Sequence, residues 1–539
     1  MITFESLDDN FRFLILELEK QARDALGFFE NKGGDALRSV MHRRDKIDDR
    51  KARVENDCYV VMGSGRELSD KESLRIRAMQ VVCNSLERMS YLFDQMVRRV
   101  DENRNFNALG GIDIQSGFEM ILTGITTLYP AFNGKSMDGA LGLCNVKSRL
   151  EALFKPVLAK MEKGGESVFI SDLDVIHAFE RLGDELLFSG EAVLFSIVGE
   201  KIRKEQFESL RKTLTESGVY DCLSKVDYKA ILGTRSGCRI GWVDSQDGLF
   251  THGSIYKEGP KEKIVKEVKA NAKWQSLSPE LVPAIYNVTE QGEKASMLVS
   301  YLPGKTLDHL LVESDGRAFP FAWKTLLETL ILFWGETLKS EPVPSDHMVQ
   351  LQKRQKDVLS VHPDFSRESL SICGTDIVSF EKMIERCAFL EKEVSAPFSV
   401  LIHGDFNLNN IIYNQKDRKI CYIDLHRSRD GDYVQDASVC LVSHFRMPLF
   451  DGLRKGRINE GMGRIFTFVE DFAATRGDSL FYFRMALALA RSFYTSTRFE
   501  LSRPFAREMY NRSCYLLERV LAWQGAKEDF RLSVEVLNR

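Results

Sequence analysis

Phe398-Ser-Val-Leu-Ile-His-Gly-Asp-Phe-Asn-Leu-Asn-Asn-Ile-Ile412 constrains the architecture more than any other stretch of the chain. Its apolar ends predict two short buried strands, and its polar middle predicts a loop that carries Asp405 and Asn410. A further apolar strand, near 420–424, ends at Asp424. Carboxylate and amide oxygens suit Mg²⁺ beside phosphate groups, so this pattern indicates phosphoryl-transfer chemistry.

A third element follows these strands, because residues 431–436 read Gly-Asp-Tyr-Val-Gln-Asp. The three elements in this order resemble the aminoglycoside phosphotransferase/choline kinase-like family, and the resemblance covers about residues 219–539. It implies a bilobal protein-kinase-like fold of the α+β class, which binds ATP between a small lobe and a helical lobe. The residues before about 219 lie outside this resemblance.

The resemblance also implies a role for each residue of these elements. Asp405 would be the catalytic base that accepts the proton of a substrate hydroxyl. Asn410 and Asp424 would hold Mg²⁺ against the phosphates of ATP. Structural support for the loop would come from His403, Asp432 and Asp436.

The segment before this site is predicted to form the small lobe. Its expected strands lie near 228–232, 238–243, 249–257 and 296–301, with a helix near 261–277. By resemblance, Lys257 neutralises the α- and β-phosphates of ATP and Glu267 pairs with this lysine. Glu262 is a rival for the pairing, and a solvent-exposed Lys257 is the alternative to a phosphate ligand.

Two further ATP contacts are implied by the resemblance. The glycine-containing turn with Ser236 and Gly237 would cover the phosphates, although a plain β-hairpin turn fits the same residues equally well. Main-chain groups near Ser300 and Leu302 would bind the adenine edge.

The first 205 residues are predicted to be helical almost throughout. Between Ser69 and Val100 the apolar residues step by three and four, which aligns them on one helix face. A second such helix spans about 171–198, and Glu-Arg pairs recur 93 residues apart, at Glu87 and Glu180. This repeat indicates a duplicated unit of three helices and therefore two antiparallel three-helix bundles.

The repeat resembles the phosphate-uptake regulator (PhoU-type) family over about residues 1–205, on Leu-Glu-Arg-Met at 86–89 and Glu-Arg-Leu-Gly-Asp at 180–184. That family binds metal through acids spaced by four, as at Asp45–Asp49 and Glu180–Asp184 here. Half of the metal ligands of that family are missing in this sequence. The favoured interpretation is therefore that these acids pair with nearby Arg and Lys side chains. The resemblance implies a protein partner for this module.

The predicted organisation is multidomain: an all-α double three-helix bundle (PhoU-like) and then an α+β bilobal protein-kinase-like fold. The predicted domains are a helical domain at 1–205, a connector at 206–218, an N-lobe at 219–302 and a helical C-lobe at 303–539.

Composition limits the classes of partner. A net charge of −4 gives no reason to expect nucleic acid, and hydrophobic residues at 44% are typical of a globular chain. No apolar run approaches the length of a membrane span, and the N-terminus lacks the cations of a signal peptide. Ten scattered cysteines without a C-x-x-C pair fit reduced thiols, so a cytoplasmic location is expected.

The sequence thus predicts an ATP- and Mg²⁺-dependent kinase that transfers the γ-phosphoryl of ATP to the hydroxyl of a small-molecule acceptor, with a PhoU-like regulatory module. The alternative is a nucleotide-sensing regulator in phosphate homeostasis that binds ATP, turns over little and acts through protein contacts. The sequence does not name the acceptor.

Overall fold

The computed structural model describes residues 4–31, 34–63, 67–102, 112–162, 170–199, 202–218, 226–230, 238–245, 253–313, 316–366, 368–373, 375–448 and 451–538. The chain divides into two compact units, Met1–Lys257 and Glu258–Arg539. Each unit has its own core, and the domain bounds expected from the sequence stay a prediction.

Six long helices open the first unit. They are α1 (Phe4–Asn31), α2 (Gly34–Gly63), α3 (Asp70–Glu102), α4 (Ile114–Asn133), α5 (Met137–Glu162) and α6 (Ile170–Val198). The first three helices pack against one another, as do the last three, and α3 also packs on α6. The predicted all-α double three-helix arrangement is therefore confirmed.

The core of this helical part is built from interlocking aromatic rings. Phe118 of α4 lies 6.1 Å from the Phe93 ring of α3 and 5.2 Å from the Phe179 ring of α6. A Cβ at Gly117 would lie 2.9 Å from the Phe179 ring, so glycine permits this close approach of α4 and α6. The predicted stripes face this core: Met79, Val82, Leu86 and Phe93 are fully buried.

One of the acids weighed as a metal ligand is engaged in an ion pair. Lys147 Nζ lies 2.5 Å from Asp184 Oδ1, and this hydrogen bond is the largest cause that raises the pKa of Lys147. Among the repeated Glu-Arg pairs, the Glu87 carboxylate contacts Lys51 Nζ at 2.7 Å. In both contacts an acid pairs with a neighbouring lysine, which is the arrangement favoured in the sequence analysis.

The first unit continues into strands after a short helix. This part contains α7 (Lys204–Glu216), β1 (Val226–Ala230), β2 (Arg239–Ser245) and β3 (Ser254–Pro260), which crosses the boundary between the units. β1 pairs antiparallel with β2. Tyr256 Oη donates to Ser209 Oγ on α7 at 3.2 Å, so the connector helix is attached to β3.

The second unit begins with one helix and two paired strands. They are α8 (Lys261–Leu277), β4 (Ile285–Gln291) and β5 (Lys294–Ser300). β4 pairs antiparallel with β5, with an irregular register between Ile285 and Asn287. The family resemblance implies a strand after Val282 and Pro283, where β4 lies. The sequence does not predict its bounds, because most of its residues are only partly buried and the strand lacks a clear apolar alternation.

Helices dominate the rest of the second unit. Its helices are α9 (Leu307–Val312), α10 (Phe319–Glu336), α11 (His347–Val361), α12 (Phe380–Glu391), α13 (Tyr433–Phe445), α14 (Gly452–Thr475), α15 (Phe481–Ser496) and α16 (Arg503–Ala522). Its short strands are β6 (Lys305–Thr306), β7 (Leu370–Ile372), β8 (Thr375–Ile377), β9 (Val400–Ile402), β10 (Ile411–Asn414), β11 (Lys419–Tyr422) and β12 (Arg429–Gly431). Strands followed by helices confirm the predicted α+β class.

Two strand pairs position the motifs of the second unit that the sequence analysis singled out. β10 pairs antiparallel with β11, which places the residues before β10 beside those after β11. β9 pairs antiparallel with β12, and Ile402 lies opposite Arg429. The segments after β9 and after β11 therefore converge on one region.

Among the helices in the described ranges, none combines the length and the apolar character that a membrane crossing requires.

Candidate active site

The loop after β9 is held in place by Asp436 in the first turn of α13. The backbone N–H groups of His403 and Gly404 donate to Asp436 Oδ2 and Oδ1 at 2.6 and 2.8 Å. Asp436 is 1% exposed, and burial raises its pKa to about 7 against the effect of these two hydrogen bonds. The carboxylate thus fixes the start of the loop that carries Asp405.

Gly404 is required by the backbone of this loop. Its φ of 81° lies in the left-handed region, and a Cβ there would collide with the carbonyl oxygen of Arg427. Glycine adopts this conformation without a steric penalty. The loop can therefore pass directly against the segment that follows Asp424.

His403 connects the two segments through its ring. Nε2 lies 2.9 Å from the Ile423 carbonyl oxygen, and Nδ1 accepts the Asp405 N–H at 3.3 Å. These partners assign the tautomer with the proton on Nε2, and burial lowers the pKa of the ring. His403 is a neutral positioning residue.

The Asp405 carboxylate lies at the open side of the loop. Asn407 Nδ2 donates to Asp405 Oδ1 at 2.8 Å, and Arg427 Nη1 lies 3.2 Å from the same oxygen. The Asp405 side chain is 19% exposed. Its carboxylate is thus oriented by neighbours and still reachable from solvent.

Asn410 ties the loop to the next strand. Its Nδ2 donates to the Asp405 carbonyl oxygen at 2.9 Å, and its own carbonyl oxygen accepts the Ile423 N–H at 3.0 Å. The amide nitrogen is a donor only, so Oδ1 is the amide atom that can bind a metal ion.

Asp424 adopts a backbone conformation that is uncommon outside glycine. Its φ is 63°, and strain of this kind is concentrated at functional sites. Its Oδ1 lies 3.1 Å from His426 Nδ1 and 3.8 Å from Lys263 Nζ. The Asp424 side chain is 15% exposed, which leaves it accessible.

A candidate cation site brings Asp424 together with Glu267, the expected partner of Lys257, and with His426. One ligand atom each from Glu267, Asp424 and His426 lies within 4.8 Å of the others. Glu267 comes from α8 and is buried. The oxygen donors of Asp424 and Asn410 fit Mg²⁺, which prefers carboxylate and carbonyl oxygens.

Asp432 supports the site from the beginning of α13. It caps the helix by accepting the Val434 N–H at 3.0 Å, and its other oxygen accepts Arg484 Nε at 2.8 Å. Arg484 also donates to Asp478, and this ion-pair network is buried. The helix that carries Asp436 is thereby anchored in the core.

The predicted ATP-binding residues lie in several places. Lys257 is buried on β3 and is the last residue of the first unit. Ser300 ends β5, where its N–H donates to the Ala284 carbonyl oxygen at 2.8 Å, and half-buried Leu302 follows it. Ser236 and Gly237 lie outside the described residues.

The part of the chain that contains this site is similar to a known protein family. Residues 256–463 match the phosphotransferase enzyme family. The phosphotransferase match includes Asp405, Asn410, Asp424 and Asp436, and it confirms the resemblance stated from the sequence. Among curated proteins, no match to the chain was found.

Solved structures similar to the chain fall into two groups. PhoU from Streptococcus pneumoniae, a phosphate transport system regulatory protein, has 18% identity, a TM-score of 0.33 and coverage of 37% of this chain and 96% of its own. Plasmodium vivax ethanolamine kinase has 12% identity, a TM-score of 0.39 and coverage of 60% and 93%. Choline kinase from Cryptosporidium parvum has 11% identity, a TM-score of 0.34 and coverage of 58% and 94%.

Sequence reasoning gave no role to two side chains that contact the candidate base. Asn407 carries no predicted role, yet its Nδ2 donates to Asp405 Oδ1. Arg427 lies three residues after Asp424, and no motif marks it. The pairing of β9 with β12 brings Arg427 to the loop, and that contact is long-range.

Proposed function

We propose that the chain is an ATP- and Mg²⁺-dependent phosphotransferase, a kinase that transfers the γ-phosphoryl of ATP to a hydroxyl of a small molecule. The observation that carries this proposal is the hydrogen-bonded link between Asp405, Asn410 and the strand end at Ile423–Asp424. His403 and Asn410 each bridge the two segments. The match of residues 256–463 to phosphotransferase enzymes supports the same chemistry.

In this proposal Asp405 acts on the acceptor. Its carboxylate orients the hydroxyl and takes its proton as the acceptor oxygen bonds to the γ-phosphorus. The bond from that phosphorus to the bridging oxygen of ADP breaks, and ADP leaves with the electron pair. The proton then passes from Asp405 to water. Asn407 supports this role because it orients the carboxylate.

Asn410 and Asp424 would hold Mg²⁺, which supplies positive charge to the phosphate oxygens when it is bound. The roles of Lys257 on the phosphates, of Glu267 as its partner and of the Ser236–Gly237 turn remain part of the proposal, as does adenine binding near Ser300 and Leu302. His403 supports the orientation of the loop that carries Asp405. Its ring donates one hydrogen bond and accepts another.

For the helical part we retain a regulatory role with a protein partner as a proposal. Its support is the resemblance of the repeated helices to the PhoU-type family.

Incubation of the full chain with γ-labelled ATP, Mg²⁺ and a pool of small hydroxyl compounds tests the proposal. A labelled product that disappears in Asp405→Asn supports the kinase. MgATP binding without any labelled product would instead favour the nucleotide-sensing regulator.

A further inference from the structure

Three side chains of the second unit come together beside the candidate catalytic loop. Glu267 lies on α8, whereas Asp424 and His426 lie on the segment that follows β11. One ligand atom from each of the three lies within 4.8 Å of the other two. Atoms bound to one octahedral ion by bonds of about 2.1 Å are about 3.0 Å apart when adjacent and about 4.2 Å apart when opposite. The three donors are therefore close enough to share one ion.

His426 supplies the nitrogen of this donor set. Its Nδ1 lies 3.1 Å from Asp424 Oδ1, a separation that fits either a hydrogen bond or two adjacent ligands of one ion. The side chains of His426 and Asp424 are 13% and 15% exposed, so both are reachable from solvent and largely shielded from it. A metal ion could therefore take the place of the proton between Nδ1 and Oδ1.

Glu267 adds a second carboxylate from a different element. It is buried, and its nearest ligand oxygen lies within 4.8 Å of the Asp424 ligand oxygen. Two carboxylates at this separation repel each other in a partly buried site, so a cation between them is stabilised. The cluster thus combines two negative groups with one imidazole.

Lys263 provides part of the compensating charge at this cluster. Its Nζ lies 3.8 Å from Asp424 Oδ1, which is within range of an ion pair but longer than a hydrogen bond. A metal ion and the Lys263 ammonium group would therefore compete for the Asp424 carboxylate.

The nitrogen donor distinguishes this cluster from the metal ligands of the proposed function. Asn410 and Asp424 offer oxygen atoms, which suit Mg²⁺. Imidazole nitrogen suits first-row transition-metal ions, and a site that mixes nitrogen and oxygen ligands binds these ions more tightly than it binds Mg²⁺. His426 therefore affects which ion is preferred.

We propose that His426 Nδ1, Asp424 and Glu267 bind a divalent transition-metal ion such as Mn²⁺ in preference to Mg²⁺. This inference rests on the proposed function and refines the identity of its metal ion. Asp424 is a ligand in both descriptions, so the cluster and the proposed Mg²⁺ site share one position in the second unit. Mg²⁺ still binds there, but more weakly.

Metal binding can be measured on the full chain without knowledge of the acceptor. Mn²⁺ is titrated with and without ADP, and the loss of the electron paramagnetic resonance signal of the free ion gives the affinity. Mg²⁺ is then added as a competitor. We expect Mn²⁺ to bind more tightly than Mg²⁺ by about tenfold or more.

A spectroscopic readout identifies the nitrogen ligand. The full chain is labelled with ¹⁵N at histidine only, and electron spin-echo modulation of bound Mn²⁺ is recorded. We expect a coupling of Mn²⁺ to ¹⁵N. The label distinguishes a histidine ligand from the nitrogen atoms of adenine.

Substitutions assign this coupling to His426. His426→Asn keeps a side chain that can donate to Asp424 but removes the ring nitrogen. The ¹⁵N coupling should disappear, and the affinity for Mn²⁺ should fall about tenfold or more, a loss seen even for residues that only orient a ligand. His309→Asn is the matched control, since His309 is exposed on α9, and it should change neither quantity.

Lys263→Met gives an expected change of opposite sign. It removes a positive charge 3.8 Å from Asp424 Oδ1, so Mn²⁺ should bind more tightly in the absence of nucleotide. A substitution that only loosened the structure would weaken binding instead. Together with the histidine label, this variant tests the inference even if His426→Asn fails to fold, which circular dichroism detects.

Four results would overturn the inference: no binding of Mn²⁺, equal or tighter binding of Mg²⁺, bound Mn²⁺ without ¹⁵N coupling, or a coupling that survives in His426→Asn. A failure of the proposed function gives a different outcome, because labelled transfer is then absent with either metal ion. The Mn²⁺ titration and its ¹⁵N coupling can still be measured without nucleotide, so the metal site is tested in either case.

Discussion

Asp436 combines almost complete burial with two hydrogen bonds from the loop that carries Asp405. Both carboxylate oxygens are used, one by His403 N–H and one by Gly404 N–H. Burial nevertheless raises the pKa of Asp436 to about 7. A single buried side chain therefore links the geometry of the loop to the pH of the solution.

The pH dependence of stability follows from this pKa. Between about pH 4 and pH 7 the folded state retains a proton on Asp436 that the unfolded chain has lost, so the free energy of unfolding falls as the pH rises. The shift of about three pKa units corresponds to roughly 4 kcal/mol. Asp436→Asn cannot ionise, so its stability deficit relative to the wild type should shrink between pH 5 and pH 8 in urea unfolding.

Asp417→Asn is the matched control for this experiment. Asp417 lies exposed on the turn between β10 and β11, where it accepts Asn414 Nδ2 at 2.8 Å. Its difference from the wild type should not vary with pH over the same range. A constant deficit for Asp436→Asn would contradict the predicted titration.

Between β9 and β10 the chain turns within a few residues, and Gly404 makes this turn possible. Gly404→Ala would place a Cβ against the Arg427 carbonyl at a positive φ. We expect a loss of about 1–3 kcal/mol in the free energy of unfolding, with displacement of Asp405 and loss of transfer activity. Chemical denaturation and the labelled-transfer assay measure the two effects.

Gly456→Ala provides the contrasting substitution. Gly456 lies within α14, and a Cβ there would meet no atom within 4 Å. Alanine should stabilise this helix by about 0.5–1 kcal/mol, with activity unchanged. If Gly404→Ala behaved in the same way, the steric account of the loop would be wrong.

The anchoring of α13 gives a prediction for a buried ion pair. Arg484→Met would leave the carboxylates of Asp432 and Asp478 buried without their cation. We expect destabilisation by about 3–5 kcal/mol in denaturant unfolding. Arg464→Met, on the surface of α14, should cost less than about 1 kcal/mol. Equal effects of the two substitutions would exclude an anchoring role for Arg484.

Long periodic elements could be predicted closely, whereas short irregular ones could not. The helix expected from Ser69 to Val100 is α3, Asp70–Glu102, because its stripe repeats over several turns. The bounds of β4 could not be predicted, since most of its residues are only partly buried. Motif spacing predicts roles for His403, Asp405 and Asn410, and these residues, close in sequence, are hydrogen-bonded within one loop. The contact of Arg427 with Asp405 depends on the pairing of β9 with β12, which no local sequence pattern indicates.

The helical repeat forms a core of its own within the first unit. Helices α1 to α6 pack on one another through buried aromatic rings such as Phe93, Phe118 and Phe179. A fragment of residues 1–218 should therefore be helical by circular dichroism and unfold cooperatively. A fragment that ends after α3, at residue 102, should be less stable because α3 no longer packs on α6. An unfolded 1–218 fragment would contradict an independent helical core.

The chain is proposed to transfer the γ-phosphoryl of ATP to an alcohol, with Asp405 as the base and with Asn410 and Asp424 as ligands of Mg²⁺. The most direct measurement compares wild type, Asp405→Asn and Asp417→Asn for transfer of label from γ-labelled ATP and for MgATP affinity by calorimetry. Asp405→Asn should lose about 10²–10⁴-fold in transfer rate with MgATP affinity retained, and Asp417→Asn should match the wild type. Full transfer by Asp405→Asn would contradict the account.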